Sequence, residues 1–150
     1  MNTDQQADDV HGGAPDGESG EIPPPRTLPA NAAAARAQVM DLLDSRFCTL
    51  DEHTLGDVVL ADVLLVTSEL VTNALRHGGG ITDFVVELGA DELRLVVADA
   101  SVRPPVTMTR APGEFTVGGY GWALVNRLAR SVAVRVTGTG KRIEAVLGLR

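Results

Sequence analysis

Apolar and polar positions repeat along this chain with two periods, one near 3.6 residues and one of 2. From Asn31 the run NAAAARAQVMDLLDSRF places Ala35, Val39, Leu42, Leu43 and Phe47 on one side of a helical repeat, behind an N-cap candidate, and predicts a first helix. A longer helix is predicted from Leu55 or Asp57 to His77. There Val59, Val63, Val66, Leu70 and Ala74 recur at helical spacing, and Gly78-Gly79-Gly80 ends the run. DFVVEL and ELRLVVADA read as two strands joined through Gly89-Ala90-Asp91. SVAVRV and RIEAVLGL read as two more, around the turn Thr137-Gly138-Thr139-Gly140-Lys141. Between the hairpins, Ser101 to Gly118 has no periodicity and contains Pro104, Pro105, Pro112 and Gly113, which predicts a long functional loop. GGYGWALVNRLAR then becomes an apolar-faced helix. Upstream of all this, RTLPA reads as a short edge strand closed by Pro29. The order β, α, α, β, β, loop, α, β, β predicts an α+β sandwich, its mixed or antiparallel sheet covered on one face by three helices.

Composition changes this picture mainly at the N-terminus. Residues 1–25 carry six acids, no Lys or Arg, and almost no large apolar side chains, so burial cannot repay their ordering entropy; a disordered acidic tail is expected. Residues 26–150 then make one domain, nearly neutral, with 14 acids against 13 bases. No basic stripe suggests direct nucleic-acid binding. MNTDQQADDV has neither the basic nor the apolar region of a secretion signal, and no apolar run is expected to reach the roughly 20 residues that cross a bilayer, so a cytoplasmic location without membrane contact is expected. Cys48 is the only cysteine, which excludes an internal disulfide, and a small buried filler is its ordinary role.

Three segments carry chemistry. In SELVTNALRHG, Glu69 and Asn73 stand four apart and share one helix face beside the apolar stripe of Leu70 and Ala74. Taken alone, they read as a solvated edge or a single i,i+4 hydrogen bond. Asp99 closes an apolar strand just before the loop, a place where Asp often does no more than begin a turn. Gly118-Gly119-Tyr120-Gly121 stands where the loop enters a helix, and glycines there let backbone N–H groups approach a phosphate with the helix dipole behind them. The GxxxxGK[ST] phosphate loop is absent.

In this order the three segments resemble the GHKL (Bergerat-fold) ATPase superfamily of gyrase, MutL and sensor histidine kinases, most closely its branch of bacterial anti-sigma-factor serine/threonine kinases. The resemblance covers residues 26 to 150. SELVTNALRHG looks like the branch's N-box, VADASVRPP like its adenine-reading segment, and GGYGWALVNRLA like its glycine box behind the ATP lid. It implies ATP and Mg²⁺ as cofactors, with Asn73 the metal ligand and Glu69 the general base for an incoming serine hydroxyl or water. Asp99 would accept a hydrogen bond from the adenine amino group, with Ser101 beside it, and Gly119 and Gly121 would open the backbone to the phosphates. Arg76, Arg103, Arg110 and Lys141 are candidate phosphate partners, Arg76 foremost, and His77 is a helix-end residue. Two positions depart from the branch: Arg142 follows Gly-Lys where Thr is common and supports a water-mediated adenine contact, and Trp122 replaces a smaller aliphatic residue. The implied partners are a sigma factor and an anti-sigma-factor antagonist, with a homodimer left open. A nucleotide-binding interaction module without kinase activity is the alternative. A detached histidine-kinase ATPase domain ranks third, since no phosphoacceptor helix precedes the N-box in this sequence.

Deleting residues 1–25 should leave the melting temperature within a degree or two, because the segment has little to bury. A larger drop by calorimetry would show that it packs on the domain.

Overall fold

A computed structural model describes residues 26–47, 55–105 and 120–150. The expected tail, Cys48, and loop residues 106–119, including Arg110 and Gly119, lie outside these. The elements are α1 (Ala32–Phe47), α2 (Asp57–His77), β1 (Ile81–Leu88), β2 (Glu92–Asp99), α3 (Tyr120–Leu128), β3 (Ser131–Val136) and β4 (Lys141–Gly148). One sheet of order β1-β2-β4-β3 is antiparallel at every pairing, so the mixed alternative drops out.

Local chemistry sets the helix ends. Asn31 caps α1, its Oδ1 accepting the Ala34 N–H at 2.8 Å. The carbonyl of Ala74 near the end of α2 accepts both the Gly78 and Gly80 N–H groups, at 3.0 and 3.1 Å. The chain then turns through Gly79 and Gly80 at φ 72° and 110°, values a residue with a Cβ rarely adopts. The expected strand at RTLPA does not form: Arg26–Pro29 is irregular. The Thr27 carbonyl accepts from Gln38 Nε2 at 3.1 Å, and Arg26 lies 3.8 Å from Asp83. These ties hold the segment by side chains, with no strand ladder.

The core lies between the helices and one face of the sheet. Ala35, Val39 and Leu43 of α1 meet Val63, Val66, Leu70, Val71 and Ala74 of α2 over Leu93, Leu95, Ile143, Ala145 and Leu147, all buried. α2 is the central element, packed on β2 with α1 and α3 against its flanks. Contrary to expectation, α2 is by length and composition apolar enough to cross a bilayer, with a mean hydropathy of 1.7 over its most apolar stretch. Val63, Val66, Thr67, Leu70, Val71 and Ala74 make its buried face, and Val58, Leu65 and Leu75 are apolar residues left exposed on its other sides.

The opposite sheet face is a lattice of ion pairs. Arg94 bonds Glu87 at 2.6 Å and Glu144 at 2.8 Å, and Arg142 bonds Asp83 at 2.8 Å. Asp83 and Arg142 both register with Ala98, whose small side chain lets them meet across β2. The Arg94 guanidinium holds the Glu144 carboxyl below its ordinary range. Val85 and Val96 are buried on this face, outside the main core.

Replacing Asn31 by Ala should cost about 1 kcal/mol of unfolding free energy, and replacing it by Asp or Ser much less, because only the alanine leaves the α1 terminus uncapped. Urea titration of the three variants checks this.

Candidate functional site

The C-terminal half of α2 connects two separated polar groups. At one end, Glu69 faces the first turn of α3: a Cβ placed on Gly121 would collide with the Glu69 carboxylate. Glycine at 121 thus gives the acid room against the helix start. At the other end, a Cβ on Gly78 would collide with the Asp99 carboxylate and lie 2.6 Å from the Ala74 carbonyl. Nine residues of helix separate these points, roughly 13 Å at 1.5 Å per residue. Asn73 lies between, one turn beyond Glu69. Both side chains are half-buried, and neither has a hydrogen-bond or ionic partner among the described residues.

Asp99 is differently placed. It is 4% exposed, and Lys141, 8% exposed, closes on both of its oxygens at 2.9 and 2.8 Å. Ser101 N–H adds a bond to Oδ1 at 2.9 Å, and the Ser101 hydroxyl accepts the Arg103 N–H at 3.2 Å, so two successive side-chain turns lead out of β2. Gly140 completes the enclosure, since a Cβ there would collide with the Asp99 carbonyl.

Lys141 was expected to reach a phosphate, and the structure places it elsewhere. It stands opposite Asp99 in the β2–β4 register, and the alternation of β4 turns it to the core face with Ile143, Ala145 and Leu147. Its charge is neutralised there by a buried carboxylate. Arg142, the departure noted at this hairpin, faces the other way, onto Asp83. The residue beside Asp99 is therefore 141, one position earlier than the Thr of the resemblance. Sequence reasoning missed this pair, although extending the alternation of RIEAVLGL back by one residue would have put Lys141 on the core face. Arg76, His77 and Arg103 are exposed. Trp122 packs half-buried against the core, where its bulk is accommodated.

Replacing Gly78 by Ala should destabilise the fold by about 1–3 kcal/mol through overlap with Asp99. Replacing Gly138, which has open space around it, should change stability by less than about 0.5 kcal/mol. Guanidinium melts of the pair isolate the steric effect, and equal midpoints would remove it.

No curated protein matches the chain at a significant level. Among solved structures, the histidine kinase domain of the blue-light activated histidine kinase of Erythrobacter litoralis EL346 superposes with a TM-score of 0.47 at 20% identity, over 79% of this chain and 64% of that one. Another structure of that kinase gives 0.45 at 21% identity, over 79% of this chain and 46% of the other. The chain thus spans under two thirds of the length of either. Residues 26–147 match the histidine kinase-like ATPase domain family, and since that match runs from the irregular Arg26 segment through all three helices and nearly all of the sheet, the chain belongs to this family of ATP-binding domains.

Proposed function

We infer that the protein is an ATP:protein serine/threonine phosphotransferase acting in the cytoplasm, which binds a sigma factor and phosphorylates an anti-sigma-factor antagonist. One observation carries the reading: Glu69 and Asp99, each given room by a glycine, stand at the two ends of a roughly 13 Å stretch of α2 with Asn73 between them. That span suits an extended nucleoside triphosphate, its base at Asp99 and its phosphates toward Glu69 and the start of α3.

The residues present fit both cofactors. Asp99 is seated between Gly78 and Gly140, where a Cβ at either position would collide with it, and its carboxylate is the acceptor that the adenine amino group would need. Among the described residues no three His, Cys, Asp or Glu side chains gather as a metal cage. Mg²⁺ would then be held by the Asn73 side-chain oxygen together with phosphates and water, an arrangement this ion favours. Gly121 and Gly119, at the entry to α3, would allow phosphate oxygens near backbone N–H groups, and Arg76 is the nearest candidate cation in sequence to Asn73.

ATP, when bound, supplies the phosphoryl group. Glu69 would take the proton of the incoming serine hydroxyl on its carboxylate as the serine oxygen bonds to the γ-phosphorus and the bond from that phosphorus to the β,γ-bridging oxygen breaks, with ADP as the leaving group.

A nucleotide-dependent interaction module without kinase activity is the second reading, favoured by one feature: Glu69 has no described neighbour that orients it apart from the space Gly121 leaves. Single-turnover assays at saturating ATP with a confirmed antagonist separate the two. Glu69→Gln should retain ATP affinity and lose transfer by roughly 10²- to 10⁴-fold. Asn73→Ala should weaken binding only when Mg²⁺ is present. Transfer unchanged in Glu69→Gln removes this residue from the chemistry, and a wild-type protein inert toward every antagonist supports the module.

A further inference from the structure

The buried pair of Asp99 and Lys141 has capacity left over, and the capacity can be counted. An ionised carboxylate offers about four acceptor positions and an ammonium three donors. On Asp99, Oδ1 receives hydrogen bonds from Lys141 and from the Ser101 N–H, while Oδ2 lies 2.8 Å from the ammonium as an ion-pair contact. Acceptor capacity therefore remains on Oδ2. Lys141 donates one hydrogen bond, to Oδ1, so donor capacity remains on Nζ. The pair therefore presents an acceptor atom and a donor atom side by side, 2.8 Å apart.

We propose that Lys141 is a base-reading residue: a proton that Nζ does not give to Asp99 Oδ1 is donated to N1 of adenine while Asp99 Oδ2 accepts a proton of the N6 amino group. This rests on the nucleotide-binding reading above and adds a direct contact from a residue whose charge had pointed to the phosphates. Adenine's edge presents one donor next to one acceptor, which uses both vacancies. Guanine's edge presents O6 as acceptor with two donors, N1–H and the 2-amino group, to a site whose one free acceptor atom is Oδ2. One donor is then buried without a partner, and such a mismatch rejects a ligand strongly. Lys141 also holds Asp99 in place: the ammonium fixes both oxygens, so the free lone pair has one direction.

Lys141 is the only lysine in the chain, which gives the proposal a spectroscopic test as well as a binding test. By calorimetry, the wild-type protein should bind 1-deaza-ATP, which lacks the N1 acceptor, roughly 10- to 100-fold more weakly than ATP, the range for a hydrogen bond to a charged group. 7-Deaza-ATP, altered away from that edge, should bind as ATP does. In Lys141→Met the preference for ATP over 1-deaza-ATP should vanish. Removal of one partner of a buried pair can unfold a domain. If it does, lysine-selective ¹⁵N labelling of the wild type provides the readout: the single ammonium resonance should shift with ATP and shift much less with 1-deaza-ATP. Equal affinity of the wild type for both nucleotides, an unchanged ratio in a folded Lys141→Met, or a resonance indifferent to saturating ATP overturns the role of Lys141 and leaves ATP binding standing. Binding of neither ATP nor 7-deaza-ATP sinks the nucleotide reading itself, and this proposal with it.

Discussion

The structure depends on the seating of α2 against the sheet. Leu70, Val71 and Ala74 are buried in the same two turns that carry Glu69 and Asn73, so the helix cannot rotate to solvate its polar side chains without exposing the core. Fully burying Leu70 and Val71 contributes about 1.5–3 kcal/mol each, and the single methyl of Ala74 less. The polar residues are thus held at fixed azimuth by the apolar ones, and what they face is decided by which elements lie beside α2: α3 at Glu69, and the end of β2 at Gly78. The buried hydroxyl of Thr67 fits the same scheme, since it bonds back to the Val63 carbonyl at 2.8 Å and asks nothing of its neighbours.

The two ends of this helix segment are built on different physical terms. Glu69 is half-buried beside a glycine and has no ionic partner among the described residues. Asp99 is enclosed by Gly78 and Gly140 and neutralised by Lys141. A buried charge without its counterion would cost several kcal/mol, which fixes Lys141 as firmly as Asp99. One acid is partly open to solvent and unpaired among the described residues, and the other is sealed and paired.

Much of this was legible in the sequence where the governing interactions are local. The start of α1 follows from one side chain, Asn31, bonding three residues ahead, and the ends of α2 and the strands follow from periodicity and glycines. RTLPA was misread because extended propensity does not make a strand unless a neighbour offers a ladder, and Arg26 to Pro29 is held by side-chain ties instead. Helical spacing put Glu69 and Asn73 on one face but could not say that Gly121 would be the neighbour. The opposition of Asp99 and Lys141 needs the register of two strands 42 residues apart, which no local signal carries. Reading Gly140-Lys141 as turn hid the alternation that aims the lysine inward.

That lysine has a consequence for the surface. Since it is the only lysine, the other twelve of the 13 basic side chains are arginines, and with Lys141 8% exposed the folded domain displays no side-chain amine. Acylation or conjugation directed at lysine has nothing to reach on the folded protein. Any partner that reads the arginines of this domain meets planar, forked donors rather than point charges.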